Sequence, residues 1–517
     1  MKTQIIISLI ALMSLELIGQ SSDIKVIQNQ KIIGQNLLTQ QDILAKEYQF
    51  PNHIYKRYLD SATGNITLQL RKLSKNGKVL SLQGQIIVFN LRSSGIKWSK
   101  KIDYSINDVN QIGSLIRLSR NNKIQYINNE TGIELWNDKN DVYYINEENN
   151  IGVQYIKNEK NKIQGVDLNN GNVLWQRDLS REYGWNKIIR MNDSTLLIAA
   201  AGLHSLNIKN GMGWDYNTVT GKKDYTETIA KNAAGVVVGF MTGVVVTSSG
   251  PNLVRDVASN VLLDSNFVYF ASKEKLSKIN KNSGEVSWTY PLDEKTTSKS
   301  SIFLKDGMIY LVNRGYANFG NKQINFGDPF ILVLNTETGK KEYSKSIGTD
   351  DNFIMDYKVI EDNLFLVLKD KILKLSLSNM NEFEEKPIDL ADLGELNIFV
   401  RSRIIFKKED SVLSNLVLSD TTKHFVQTTK SIILELDDQF KVGYHYNISD
   451  LYFYYNDFKD YKLYSKGFRE ETIISDKDNH IIARIKVPNY LYIFEDKLYS
   501  IDGESLIEIA INDLGIL

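Results

Sequence analysis

The chain has 517 residues, of which 42% are apolar and 10% aromatic, and this composition is sufficient for a packed core and excludes a disordered chain. Lysine plus arginine and aspartate plus glutamate each number 62, so the net charge is zero and lacks the basic excess that is typical of nucleic-acid binders. The chain has no cysteine, which excludes disulfides, cysteine-ligated metals and thiol nucleophiles.

Residues 1–22 are predicted to be a secretory signal peptide. Lys2 precedes an apolar run from Ile5 to Met13, and Glu16 makes this run too short for a membrane-spanning helix. A buried N-terminal strand is the alternative. We therefore expect an exported protein that is periplasmic or associated with the outer membrane, without a lipobox cysteine.

Residues 23–517 are predicted to form one β-propeller, and its clearest unit is Val166–Trp175. Val166 and Leu168 share one face of an extended segment, which is the alternation of a half-buried strand. Gly171 follows in a tight turn, where the backbone needs the positive φ that glycine adopts most easily. The unit is therefore a strand, a turn and a second strand.

This unit recurs along the chain, and each copy pairs a turn glycine with a following aromatic residue. The pairs are Gly95 and Trp98, Gly132 and Trp136, Gly171 and Trp175, Gly211 and Trp214, Gly284 and Trp288, and Gly339 and Tyr343. The first four glycines are 37, 39 and 40 residues apart, a spacing typical of four-stranded propeller blades. We expect the large rings to be buried between neighbouring blades.

The predicted fold class is all-β, a β-propeller of four-stranded antiparallel blades with a short helical insertion. Between residues 95 and 503, after the insertion is subtracted, there are eight to nine periods, so we predict eight blades, with seven as the alternative. After residue 345 the pattern fades, and only weaker copies such as Lys371–Leu375 keep the alternation.

The pattern apolar-(Asp/Asn)-x-x-x-Gly-x-x-x-Trp resembles the pyrroloquinoline-quinone (PQQ)-like propeller repeat. It is carried most fully by Ile127–Trp136, Val166–Trp175 and Ile279–Trp288, and the resemblance covers residues 86–345 well. This repeat occurs in quinoprotein dehydrogenases and in cofactor-free, BamB-like relatives. The resemblance implies the fold. No catalytic residue of the dehydrogenases can be carried over to this chain, so the resemblance favours the cofactor-free branch.

An insertion at about residues 226–262 interrupts the array, because Gly211 and Gly284 are 73 residues apart. Its segment 233–246 is apolar and is too short to span a bilayer. On a helix, three glycines four residues apart would form one smooth stripe: Gly235, Gly239 and Gly243. The functional interpretation is a helix that docks on a partner or makes a peripheral membrane contact. The favoured alternative is a helix or strand pair buried against the propeller.

Two other features are weaker candidates for sites. Trp185 lies outside the repeat and could anchor a partner, although an ordinary core position is the simpler interpretation. The carboxylates of Asp476 and Asp478 could hold calcium, but their segment is more typical of a hairpin turn. We therefore predict no catalytic, cofactor-binding or metal-binding residue.

For function, the sequence favours a non-catalytic, protein-binding scaffold of the cell envelope. Its partner would be another envelope protein, and no nucleic acid is expected. The alternatives are a quinoprotein oxidoreductase that depends on PQQ and a carbohydrate-binding propeller. A quinoprotein would reduce an artificial electron acceptor when supplied with quinone and calcium, whereas a glycan binder would shift in melting temperature with polysaccharides.

Overall fold

The computed structural model of the protein describes residues 24–217, 254–255 and 259–510. Within these ranges it leaves out the following positions: 122, 160, 180–186, 200–201, 294, 320–321, 349–351, 391, 408–415, 420–422, 438, 467–470 and 488–490. The predicted signal peptide, the apolar segment 233–246 and Trp185 lie outside the described residues.

The chain begins with a two-stranded ribbon of β1 (Ile27–Asn36) and β2 (Asp42–Gln49), and four-stranded antiparallel sheets then follow one another along the chain. We call these sheets units. Unit 1 consists of β3 (His53–Asp60), β4 (Asn65–Leu73), β5 (Leu80–Asn90) and β6 (Gly95–Asp103). Unit 2 consists of β7 (Asp108–Ile112), β8 (Leu115–Arg120), β9 (Lys123–Asn128) and β10 (Glu134–Asp138). Unit 3 consists of β11 (Val142–Asn146), β12 (Ile151–Tyr155), β13 (Lys162–Asp167) and β14 (Val173–Asp178).

Units 4 to 6 continue this order. Unit 4 consists of β15 (Lys187–Arg190), β16 (Thr195–Ala199), β17 (Gly202–Asn207) and β18 (Asp215–Asn217), and β19 (Val254–Arg255) follows it. Unit 5 consists of β20 (Leu262–Leu263), β21 (Phe267–Ala271), β22 (Lys275–Asn280) and β23 (Val286–Pro291). Unit 6 consists of β24 (Ser300–Lys305), β25 (Met308–Asn313), β28 (Phe330–Asn335) and β29 (Lys341–Ser346), with the hairpin β26 (Tyr316–Phe319) and β27 (Lys322–Asn325) inserted. β26 pairs with β19.

Units 7 and 8 complete the series of separate four-stranded sheets. Unit 7 consists of β30 (Asp356–Ile360), β31 (Asn363–Val367), β32 (Lys371–Ser376) and β33 (Phe383–Pro387). Unit 8 consists of β34 (Leu396–Phe399), β37 (His424–Thr428), β38 (Ile432–Leu436) and β39 (Val442–Asn447), with the hairpin β35 (Ile404–Lys407) and β36 (Leu416–Leu418) inserted. A short 3₁₀ helix, Ile448–Asp450, follows β39.

The remaining sheet has eleven strands and contains two further runs of four strands. Unit 9 consists of β40 (Tyr452–Phe458), β41 (Tyr461–Ser465), β42 (Thr472–Ser475) and β43 (Ile481–Ile485). Unit 10 consists of β44 (Tyr492–Phe494), β45 (Lys497–Asp502), β46 (Ser505–Ala510) and, as its fourth strand, β2 from the start of the chain. β1 joins the two units, because it pairs with β2 and, at Gly34–Asn36, with β43.

The polar position of the repeat explains why the chain reverses where it does. The side-chain oxygen of Asn128 accepts hydrogen bonds from the backbone N–H groups of Glu130 and Thr131, at 2.9 Å each. Asn280 and Asn335 make the same two bonds in units 5 and 6. An asparagine or aspartate side chain that caps its own turn in this way favours reversal over continuation of the strand.

Apolar clusters join each unit to the next around a closed ring. The closing cluster lies between units 10 and 1, where Tyr48 and Leu506 pack against Leu68 and Phe89. The ring therefore has ten units in the described residues, and the N-terminal strand β2 completes the last of them.

The predicted all-β propeller of four-stranded antiparallel blades is confirmed. The ring has two units more than the eight expected from the repeat spacing, because units 7 to 10 lack the glycine–tryptophan motif, so their number was not marked, and unit 10 takes a strand from the other end of the chain. Of the insertion predicted at about 226–262, the structure describes residues 254–255, which form β19, and residues 259–262, the last of which begins β20; the rest lies outside the described residues. Within the described part of the chain, no helix is both long and apolar enough to cross a membrane.

Candidate functional site

The motif tryptophans lock neighbouring units together. Each indole N–H donates to a backbone carbonyl of the following unit, and the pairs are Trp98 to Asn129 at 2.8 Å, Trp136 to Leu168 at 2.8 Å, Trp175 to Ile208 at 2.7 Å, Trp214 to Lys281 at 3.0 Å and Trp288 to Thr336 at 2.9 Å. These bonds satisfy carbonyl groups that the turns leave free, while the rings fill the space between the units.

The motif glycines are the surfaces on which these rings lie. Five of them have φ between 68° and 75°, and a β-carbon at each would come within 2.4 to 2.7 Å of the preceding unit's indole: Gly132, Gly171, Gly211, Gly284 and Gly339. Both the backbone conformation and the close approach require glycine. These residues therefore hold the ring together and leave no side chain for a ligand.

The two exceptional members of the motif lie at its ends. Gly95 contacts no aromatic ring of a preceding unit; instead, the hydroxyl of Tyr48 in unit 10 donates to the Ser94 hydroxyl at 2.8 Å. Tyr343 packs against the cluster of buried residues between units 6 and 7, and burial raises the pKa of Tyr343. At both positions a tyrosine still links neighbouring units where the tryptophan–glycine pair is absent.

The tip of the β1–β2 ribbon carries apolar side chains in solvent. Ile32 and Leu44 lie opposite each other across the ribbon and are 60% and 43% exposed, and Leu38 in the turn is 67% exposed. On the side away from β2, residues 27–32 of β1 have no paired strand within the described part of the chain. The ribbon tip, meaning Ile32, Leu38 and Leu44, is therefore both apolar and accessible.

A pocket of about 770 Å³ lies where the first strands of units 6 and 7 meet. Asn260, which precedes unit 5, and Arg401, which follows the first strand of unit 8, also line it. β30 and β34, the first strands of units 7 and 8, also contact each other, and we call this cavity beside the first strands the central pocket. Its charged side chains are Lys305, Arg314, Asp356, Lys358 and Arg401.

Asp356 is the one carboxylate among these side chains, and Arg401 binds it in a bidentate pair. Two guanidinium nitrogens donate to its two oxygens at 2.8 Å each, and the backbone N–H of Phe399 donates to it at 2.9 Å. The hydrogen bonds to Asp356 raise the pKa of Arg401. Lys305 points to the carboxylate of Asp362, which is exposed and does not line the pocket.

The other two cations of the pocket have no carboxylate partner among the described residues. Arg314 donates to the carbonyl of Met355 at 2.6 Å and lies 5.6 Å from the centre of the Tyr357 ring, but its buried Nε has no partner there. Lys358 is half-buried, and both this burial and the nearby Arg401 lower the pKa of its ammonium group. The pocket therefore holds more positive charge than it neutralises.

The sequence interpretation missed this pocket because its residues are not part of the repeat motif. Asp356 and Lys358 alternate along one strand and so point to the same face, which was the available signal. Asp476, which the sequence offered as a weak candidate for calcium binding, instead stabilises a turn. Its carboxylate accepts hydrogen bonds from the backbone and ring of His480. Within the described residues, no group of three or more histidine, aspartate and glutamate side chains is placed to hold a metal ion.

The chain is similar to known proteins over its repeats. A family model described as outer membrane protein assembly factor BamB matches residues 69–249. No curated protein sequence matches the chain. Similar solved structures include BamB from Moraxella catarrhalis, 12% identical over 83% of this chain and 96% of that one, with a TM-score of 0.31.

Two enzymes are also similar. The dihydro-heme d1 dehydrogenase NirN is 10% identical, over 86% of this chain and 78% of that one, with a TM-score of 0.32. A europium-containing methanol dehydrogenase is 9% identical, over 72% and 84%, with a TM-score of 0.28. The ring of four-stranded units shows that the chain is a β-propeller, and the repeat motif together with the family-model match over residues 69–249 shows that its repeats are PQQ-like.

Proposed function

We propose that the protein is an exported cell-envelope propeller that acts as a non-catalytic scaffold and binds another envelope protein. The observation that carries this proposal is the apolar ribbon tip. Exposed single apolar residues are common on protein surfaces, but an exposed cross-strand pair beside an unpaired strand edge is suited to contact with another chain.

The structural roles of the motif residues support this proposal. The recurring glycines and tryptophans are engaged in packing one unit against the next, so they are not available to a substrate. Contacts with other molecules are left to the ribbon, the loops and the central pocket. The matching family model is described as an outer membrane protein assembly factor, which agrees with a protein partner in the envelope.

The insertion at about 226–262 is proposed as a second contact region. Its glycine stripe of Gly235, Gly239 and Gly243 would allow a helix to approach a partner closely, and Trp185 is proposed as an additional anchor. The alternative is that residues 233–246 make a peripheral membrane contact, and the experiment below distinguishes this from contact with a partner.

The test has two steps. The tagged protein is first recovered from crosslinked envelopes together with any bound partner, and the purified partner is then titrated against the protein and its variants. The variants are Ile32→Lys, Leu44→Lys and a deletion of residues 229–253, which keeps β19 and β20 in place. We expect one partner whose affinity falls by about tenfold or more when a charge replaces Ile32 or Leu44, since a lysine cannot be buried unpaired in an apolar contact.

The matched control is Ile133→Lys, which places the same charge on a residue that is also exposed (54%) but lies in a turn of unit 2. This control should keep full affinity. The proposal fails if the folded protein recovers nothing above background, or if the purified partner binds the ribbon variants as well as the original chain. Loss of membrane association alone on deleting 229–253 would assign that segment to the membrane rather than to the partner.

A further inference from the structure

We propose that the central pocket is a binding site for a small oxyanion, whose carboxylate or phosphate oxygens are held by Lys358 and Arg314 beside Arg401. This proposal goes beyond the scaffold function and does not depend on it. It rests on the side chains that neighbouring units bring together in this pocket.

The first argument is the balance of charge. Among the described residues, four cationic side chains and one carboxylate line the pocket. The carboxylate, Asp356, is engaged by Arg401 in both oxygens, and Lys305 is paired with Asp362 outside the pocket. Two positive charges, those of Arg314 and Lys358, therefore remain without an anion in this part of the structure, and concave protein surfaces of one sign concentrate ions of the opposite sign.

The second argument is the electrostatic repulsion that this surplus of positive charge causes. Lys358 is partly removed from water and faces Arg401, and both effects lower the pKa of its ammonium group. A fold has no structural need for an uncompensated, half-buried lysine, since a neutral residue of similar length would pack there without repulsion. A bound anion would offset this repulsion and favour the charged form of the lysine.

The third argument is the supply of hydrogen-bond donors. The Nε of Arg314 is buried and has no acceptor among the described residues, although buried N–H groups are almost always paired. The Arg314 guanidinium is held in place by the carbonyl of Met355 and the ring of Tyr357, so its orientation is already set. A guanidinium and an ammonium at fixed positions form the usual cradle for carboxylate and phosphate oxygens.

The size and walls of the pocket limit the ligand. About 770 Å³ is within the range of small-molecule sites. The rings of Phe303 and Tyr357, whose centres are 5.9 Å apart and nearly parallel, form an apolar wall on one side. The pocket therefore suits a small molecule that carries one or two oxyanion groups and an apolar portion.

The experiment is isothermal titration calorimetry of the protein at low ionic strength with inorganic phosphate, with citrate and with uncharged glucose. We expect binding at a single site with phosphate or citrate and none with glucose, and the stronger of the two anions tells whether the site prefers a phosphate or a carboxylate. Lys358→Met should weaken the binding by about tenfold, the effect of losing one charge-assisted hydrogen bond, and Lys358→Arg should retain most of it.

The matched control is Lys100→Met, which removes the same charge from a half-buried lysine on the last strand of unit 1. Its affinity should equal that of the original chain. The proposal is overturned if neither anion binds, if Lys358→Met binds as tightly as the original chain, or if Lys100→Met loses as much affinity. Thermal melting of each variant keeps a folding defect apart from a loss of binding.

Discussion

Trp175 lies so close to Gly211 of the next unit that a β-carbon at position 211 would come within 2.5 Å of its ring. The same indole donates a hydrogen bond to the carbonyl of Ile208, the first residue of that turn. One residue thus contacts both the beginning and the end of the turn in its neighbouring unit. The repeat motif is therefore a joint between units as well as a turn within one.

The first prediction concerns this joint. Gly211→Ala should lower the free energy of unfolding by about 2–5 kcal/mol, because the new methyl group suffers the left-handed backbone strain of about 1–2 kcal/mol and an overpacking cost of about 1–3 kcal/mol. Denaturant unfolding followed by tryptophan fluorescence measures the difference.

Gly307→Ala is the control, because Gly307 has nearly the same φ, +73° against +74°, but a β-carbon there would meet nothing within 4 Å. It should show the backbone strain alone. Equal destabilisation of the two variants would mean that the contact with Trp175 does not contribute to stability.

The second prediction concerns ring closure. Gln49 of β2 and Ser505 of β46 are opposite each other in the sheet that joins the two ends of the chain. Since the chain has no cysteine, replacing both residues by cysteine introduces a single disulfide. It should raise the melting temperature under oxidising conditions, because it closes a very long loop in the unfolded chain.

The rise should disappear on reduction and should be absent from the single variant Gln49→Cys. Failure of the disulfide to form in the folded, oxidised double variant would contradict the pairing of β2 with β46 and hence the closed ring.

The third prediction concerns acid stability. Burial by itself would raise the pKa of Asp215, but hydrogen bonds from His204 and Arg177 outweigh burial and lower it below the ordinary value of 3.8. A carboxyl group whose pKa is lower in the folded state stabilises the protein above its unfolded pKa, and this stabilisation is lost as the pH falls through the folded pKa.

Asp215→Asn should therefore lower stability near neutral pH and reduce the loss of stability between about pH 5 and pH 2. Thermal melting across this range measures it. Asp193→Asn serves as the comparison, since the Asp193 side chain is 88% exposed, and it should leave the acid limb unchanged. A steep acid limb in Asp215→Asn that matches the original chain would rule out this role for Asp215.

The fourth prediction concerns the central pocket. Asp356→Asn removes the one carboxylate that the described residues contribute to the pocket, so anion affinity should increase by roughly three- to tenfold, the reverse of the effect of Lys358→Met. The same change should destabilise the protein by about 1–3 kcal/mol, because Arg401 loses its charged partner between units 7 and 8.

Calorimetry with the preferred anion measures the affinity, and denaturant unfolding separately measures the free energy of unfolding. Glu384→Gln, which removes an exposed carboxylate outside the pocket, should change neither. An unchanged or reduced anion affinity in Asp356→Asn would show that the charge of the pocket does not govern binding.

The sequence by itself determined the blades where the motif is intact. Asn128, Gly132 and Trp136 lie within nine residues, and their roles as turn cap, left-handed turn residue and ring between units follow from local physical chemistry. For this reason the four-stranded units and the burial of the aromatic rings between them could be predicted from the sequence alone.

The tertiary structure alone decided the number of units, the closure of the ring and the central pocket. The period of the sequence repeat indicates the strands and turns within one unit but not the angle between successive units. It therefore could not show that ten units are needed to close the ring. It also could not place β2 beside β46, nor Arg314 near Lys358 and Arg401. Those residues are far apart along the chain, and they line one pocket only because the packing of successive units brings the first strands of units 6, 7 and 8 together.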